Sequence, residues 1–137
     1  MTHSSGITLA LLGERDLPEL RSLFAALGLH MPEENVEQFS RPRRPAPGIE
    51  VVTIGLRDNG RLVGTVGWLE LPVQLQGGER ISSRWLVNFY MSPELRGRGL
   101  GRRLEAVARE GSPLCLITGG TPHSIPLFEK AGWRLAG

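Results

Sequence analysis

Apolar positions along this chain fall into alternating and helical blocks, separated by glycine, proline and asparagine, and the blocks predict a mixed α/β order. Ile7 to Leu12 reads as a first strand. Leu17, Leu20, Phe24 and Leu27 then recur at helical spacing, with Asp16 and Glu19 as a capping box in front and Gly28 as the stop. His30 to Phe39 carries Pro32 and a short acidic helical turn, and Arg41 to Gly48 reads as a proline-rich linker. Ile49 to Leu56 and Leu62 to Leu71 alternate as strands around a hairpin turn, Asp58-Asn59-Gly60. A loop from Pro72 to Gly78 precedes an apolar central strand, Trp85 to Met91. A helix with Leu100, Leu104, Val107 and Ala108 on one stripe ends at Gly111. A strand from Leu114 to Thr118, a helix from Pro122 to Ala131 and a short strand from Trp133 to Leu135 complete the order.

The chemistry concentrates where the central strand meets the next helix, at Met91-Ser92-Pro93-Glu94-Leu95-Arg96-Gly97-Arg98-Gly99-Leu100-Gly101. Strand, glycine-rich turn and helix aim backbone amides at a phosphate. Glycine lets the chain approach closely, and the helix N-terminus adds unpaired N–H groups and partial positive charge. Arg96, Arg98, Arg102 and Arg103 add fixed charge. A Walker loop would need Lys-Ser or Lys-Thr after its last glycine, and none follows Gly101. A dinucleotide fingerprint would need a closing glycine where Arg102 stands, and an acidic residue about twenty positions on, near Leu116.

The spacing that does fit is R-x-x-G-x-G, met by Arg96, Gly99 and Gly101. It resembles the acetyl-CoA-binding motif of the GCN5-related N-acetyltransferases (GNAT superfamily). A second segment, Thr121-Pro122-His123-Ser124-Ile125-Pro126-Leu127-Phe128-Glu129-Lys130-Ala131-Gly132-Trp133, resembles that family's second signature, a short helix usually opened by Asn and carrying Leu-Tyr-Glu-Lys-x-Gly-Phe. The resemblance covers essentially the whole chain. It implies the α/β (α+β) class, with a mixed, mostly antiparallel central sheet of about six strands flanked by helices. The order β-α-α-β-β-β-α-β-α-β would lack the family's last strand. A homodimer would be one way to cover the exposed edge that this leaves; a larger assembly of which this chain is one part would be another.

The resemblance also implies function: transfer of acetyl from acetyl-CoA to a primary amine of a small molecule or peptide, by direct attack on the thioester. It places pantetheine against Phe89, Tyr90 and Met91, and the pyrophosphate on Arg96, Gly97, Arg98, Gly99, Leu100, Gly101 and Arg102. Thr121 and Phe128 complete the implied cofactor set. Two helpers depart from the family pattern. Phe128 stands where a tyrosine usually protonates the leaving thiolate, and Trp85 and Val87 stand where a glutamate or histidine base is common. A positioned acid or base is worth roughly 10² to 10⁴ in rate. Tyr90, Glu70 and His30 are the candidate substitutes. Strict alternation would turn Tyr90 to the face opposite Val87 and Phe89. The rival reading is an acyl-CoA-binding or regulatory domain that keeps the cradle without the helpers.

Composition narrows the alternatives. The chain has 137 residues and 40% hydrophobic content, which suits one domain with one core. No apolar run reaches the roughly eighteen residues of a membrane span, and no charged-then-apolar leader opens the chain, so a cytoplasmic protein without membrane partners is expected. The only cysteine, Cys115, sits inside an apolar strand and reads as an inert core thiol. No Cys or His pair has metal spacing, so no metal is expected. Net charge is +2 and Lys130 is the sole lysine. The basic residues cluster in the loop and in Arg41-Pro42-Arg43-Arg44, not along a helix, and aromatic content is 6%. That pattern argues against nucleic acid as a partner.

Overall fold

Strand pairing supplies most of the architecture. The computed structural model describes residues 6–30, 32, 33, 36, 37, 43–46, 49–95, 97–117 and 124–134. The strands are β1 (Ile7–Leu11), β2 (Arg43–Ala46), β3 (Ile49–Asp58), β4 (Arg61–Gln74), β5 (Arg80–Met91) and β6 (Cys115–Ile117). The helices are α1 (Leu17–Ala26), α2 (Leu100–Arg109) and α3 (Ser124–Lys130). Among the described residues the strands form one six-stranded sheet in the order β1-β3-β4-β5-β6, with β2 also paired to β3. Every ladder is antiparallel except β5 with β6. The mixed, mostly antiparallel sheet is the one expected.

Local chemistry explains the joints. Asn59 and Gly60 both adopt positive φ, 51° and 84°, between the paired Asp58 and Arg61. That is the two-residue turn whose twist matches flanking strands. Helix α1 stops before Gly28, whose φ of 74° an L side chain would resist. Val36 donates its N–H to the Pro32 carbonyl at 3.2 Å, which places a helical turn where the acidic segment predicts one.

Four expectations need correction. Arg41 to Gly48 is not all linker: Arg43–Ala46 is an edge strand, and Pro45 is tolerated there because the β2–β3 register breaks between Arg43 and Ala46. Pro72 to Gly78 is not all loop: β4 continues to Gln74 and β5 begins at Arg80, as a ribbon of two strands beyond the ends of the β3 and β6 ladders. The final strand is not formed at Trp133 and Arg134; Leu135 lies outside the described residues. The capping box at Asp16 and Glu19 is absent, because both carboxylates are engaged elsewhere. Asp16 accepts the Gly13 N–H at 2.7 Å, and Glu19 accepts the Leu62 N–H at 3.3 Å.

Both acids also grip Arg57 on β3. Its Nη1 donates to the two Glu19 oxygens at 2.6 Å, and its Nη2 donates to Asp16. The Glu19 hydrogen bonds, with the field of both acids, hold the guanidinium above its ordinary pKa. Side-chain exposure is 22% for Arg57 and 12% for Asp16, so the pair is largely removed from solvent. Arg57→Met leaves the largely buried Asp16 carboxylate without its counter-charge, while Glu19, 41% exposed, stays in water, and is expected to lower unfolding free energy by about 1–3 kcal/mol. A urea melt with no shift in midpoint would contradict this.

Two apolar layers sandwich the sheet. On one side, Leu56, Val66, Trp68 and Leu86 pack with Leu100, Leu104 and Ala108 of α2 and Phe128 of α3. On the other, Leu12 and Leu62 pack with Leu20, Leu23 and Phe24 of α1. A β-bulge in β5 controls what each layer receives. Thr65 pairs with Tyr90 and Gly67 with Val87, so Asn88 and Phe89 together oppose Val66. Asn88 takes φ of 56°, which asparagine accepts better than most residues, and the Thr65 hydroxyl donates to its carbonyl at 2.9 Å.

Candidate functional site

The bulge resets the side-chain alternation just before the glycine loop. Leu86, Phe89 and Met91 share the layer beneath α2 and α3, although strict alternation would separate Leu86 from Phe89. Tyr90 turns to the α1 layer, where its ring meets Phe24 edge-on at 5.5 Å. The expectation for Val87 is therefore corrected: by register it shares a face with Tyr90 and not with Phe89.

The backbone then leaves β5 through a short turn, Pro93–Leu95. Ser92 N–H donates to the Val63 carbonyl at 2.8 Å, and the Leu95 side chain, 6% exposed, pins the turn to the core. Successive strand N–H groups point to opposite edges, so the Met91 N–H faces away from β4. Gly97 and Gly99 follow with φ of 88° and 78°. Nothing lies within 4 Å of where a Cβ would stand at either, so the space above the loop is open. Gly99 is also the N-cap of α2 and supplies no side-chain cap. The first α2 amides are left for a ligand.

These pieces line a cleft of about 510 Å³. Phe89, Met91, Gly97, Gly99, Gly101 and Arg102 form its strand-and-loop side, and Ser124, Leu127 and Lys130 part of its α3 side. Helix α3 lies close enough to α2 that a Cβ on Gly101 would stand 2.7 Å from Leu127 Cδ1. Open glycine amides, an uncapped helix end and the Arg102 guanidinium beside them can hold a pyrophosphate, and the Phe89–Met91 edge can pair with an amide-bearing arm. The donor set therefore fits CoA.

The remaining residues fall elsewhere. Leu100 is a buried core residue that offers only its backbone. Arg98 is drawn to Asp58 on the β3–β4 hairpin, at 3.1 Å, and does not line the cleft. Glu94, in the turn, pairs with Arg61 at 3.1 Å. Its carboxyl is held below the usual range, first by its own backbone amide and then by Ser92 and Arg61. Phe128 is 5% exposed between Phe89 and Trp133, at ring distances of 5.2 and 5.0 Å, and does not line the cleft. Glu70 is bound to Arg84 at 3.0 Å, and Arg84 also donates to the Ala108 and Glu110 carbonyls and lies over Trp68. Arg84 precedes Phe89 by five strand residues, roughly 16 Å. His30 is exposed beyond α1. Arg96 and Thr121 lie outside the described residues.

Sequence reasoning missed Leu95, Pro126, Leu127 and Lys130 as cleft residues. Ser124, Leu127 and Lys130 recur every third position of a helix, so they share one face, and that spacing was the available signal. It also missed Glu105, 2% exposed on α2, whose carboxylate accepts Arg109 at 2.7 Å and the Trp133 indole N–H at 3.1 Å. Among the described residues, no group of three His, Cys, Asp or Glu side chains is arranged to hold a metal ion, and no helix is long and apolar enough to cross a membrane.

Comparison with known proteins now bears on this cleft. A profile of the acetyltransferase (GNAT) domain matches residues 11–136. An acetyltransferase from Trypanosoma brucei superposes with a TM-score of 0.70 at 25% identity, over 96% of this chain and 94% of that one. A ribosomal-protein-alanine N-acetyltransferase from Brucella melitensis biovar Abortus 2308 gives 0.67 at 21% identity, over 95% and 92%. An aminoglycoside N-acetyltransferase solved in complex with CoA gives 0.70 at 14% identity, over 96% and 90%. No curated protein matches the sequence.

Proposed function

This chain belongs to the acetyltransferase (GNAT) family, and we propose that it uses the α2–α3 cleft to move acetyl from acetyl-CoA to a primary amine of a small molecule or peptide. The observation that carries the reading is the uncapped, glycine-lined start of α2 facing open space beside the Phe89–Met91 edge. The residues then take distinct roles. Amides from Gly97 to Gly101, with Arg102, hold the pyrophosphate. The backbone of Phe89 to Met91 aligns the pantetheine arm. The Met91 N–H is the donor best placed to polarise the thioester carbonyl as negative charge grows on its oxygen.

The neutral amine forms the new C–N bond, the C–S bond breaks, and the thiolate leaves with CoA; the surplus ammonium proton passes to water. Proximity alone can supply roughly 7 to 11 kcal/mol of such a barrier. Isothermal calorimetry with acetyl-CoA, followed by CoA release with a panel of amines, tests the proposal. Binding followed by amine-dependent thiol release is the expected outcome, and no binding at millimolar ligand overturns it.

One observation favours a second reading, an acyl-CoA-binding domain without turnover. None of the described side chains lining the cleft is a carboxylate, a histidine or a tyrosine. Tight binding without thiol release from any amine would decide for that reading.

A further inference from the structure

Six of the described arginines are held by carboxylates. Arg21, Arg57, Arg61, Arg84, Arg98 and Arg109 each face a carboxylate within ion-pair distance. Of the described cationic side chains outside these pairs (Arg15, Arg80, Arg102, Arg103, Arg134 and Lys130), only Arg102 and Lys130 line the cleft. They stand on different elements. Arg102 is in the first turn of α2 beside the glycine amides, whereas Lys130 ends α3 on the opposite wall. Ser124 and Lys130 both reach the cleft from the two ends of α3, about 9 Å apart along its axis.

We propose that Lys130, facing Arg102 across the cleft, forms a second anion subsite for the 3′-phosphate on the ribose of CoA. The inference rests on the acetyl-CoA reading and goes beyond it, because it assigns the protein a choice among thioester carriers. A pyrophosphate is already served by the loop amides, the helix end and Arg102. A lysine on the far wall is surplus to that need, and an ammonium is a compact point charge suited to a phosphomonoester. That group carries about −1.5 to −2 charge near neutral pH. Lys130 is exposed, so its own stability role is limited to offsetting the negative end of a short helix.

The test compares two ligands on two proteins. CoA and 3′-dephospho-CoA differ only in the phosphate and are titrated calorimetrically into wild type and Lys130→Gln at fixed low salt. The wild type is expected to bind CoA about tenfold more tightly than dephospho-CoA. Lys130→Gln is expected to lose most of that preference while its dephospho-CoA affinity stays within about twofold. Raising salt should shrink the wild-type preference, since the contact is partly exposed. Equal wild-type affinity for both ligands, or equal weakening of both by Lys130→Gln, overturns the subsite and leaves the acetyl-CoA reading standing. A wild type that binds neither ligand overturns both. Thermal melts of the two proteins exclude misfolding as the cause, and Arg102→Gln, expected to weaken both ligands, gives the contrasting pattern.

Discussion

Gly99→Glu is expected to weaken acetyl-CoA binding by at least about 100-fold, about 2.7 kcal/mol, and to leave the chain folded. Two effects separate cleanly at this position. Gly99 holds φ of 78°, so any L side chain adds strain of about 1–2 kcal/mol. No heavy atom lies within 4 Å of the new Cβ, so nothing in the core is displaced. The second effect is electrostatic: a carboxylate is placed at the uncapped start of α2, where the pyrophosphate would lie. It competes for the same amides and repels the ligand. A charge-assisted hydrogen bond is worth about 1.5–3 kcal/mol, so losing two suffices for the stated drop. Gly99→Ala carries the strain without the charge and is expected to bind within about tenfold of wild type. Calorimetry on both variants, with far-UV circular dichroism as the folding control, checks the argument. Retained wild-type affinity in Gly99→Glu would mean that the pyrophosphate is held elsewhere.

The glycine loop was legible in the sequence because its chemistry is local. Positive φ at Gly97 and Gly99, and an N-cap without a capping side chain, are properties of a few consecutive residues. The β3–β4 hairpin was legible for the same reason, since alternation and the Asn59-Gly60 turn fix it within a short span, whereas the order of the whole sheet was implied by the family resemblance. The bulge was not legible. It depends on one asparagine adopting the left-handed region and on Thr65 across the ladder holding its carbonyl. A single inserted residue then reverses every side chain beyond it, which is why Tyr90 packs on Phe24 and shares Val87's face.

Long-range pairing hid other features. Glu70 reads alone as a strand-end acid, but β4–β5 register sets it opposite Arg84, and Arg84 in turn caps carbonyls at the end of α2. Asp16 and Glu19 have the spacing of a capping box, and Arg57, some forty residues on, claims both. The strand Arg43–Ala46 is masked by its proline and arginines because its reason for being a strand lies in the edge of β3. In each case the sequence carried the residue type and the fold chose the partner.

Phe128→Ala is expected to cost about 3–5 kcal/mol of stability and to weaken acetyl-CoA binding as well. The family resemblance sets this position beside the leaving thiolate. Here the ring is a keystone instead, 5% exposed and edge-on to Phe89 and Trp133. Such aromatic pairs add about 0.5–1.5 kcal/mol beyond burial. Against a typical total of about 5–15 kcal/mol, the truncation leaves a marginal protein. With a urea m-value of about 1–3 kcal/mol/M, the midpoint falls by roughly 2 M. The link to binding runs through Phe89, which lines the cleft and loses the ring that supports it. Phe128→Leu refills much of the volume without the aromatic edge, and should recover more than half of the stability. The cycle Phe89→Ala, Phe128→Ala and the double variant should show a coupling above about 0.5 kcal/mol. Additive losses would mean that the two rings act independently, and the cleft wall would then owe nothing to Phe128. Phe128→Tyr completes the logic: a buried hydroxyl between two rings gains no route to the thiolate, so turnover with any amine found should not rise. A rise of tenfold or more would show that this position still faces the leaving sulfur.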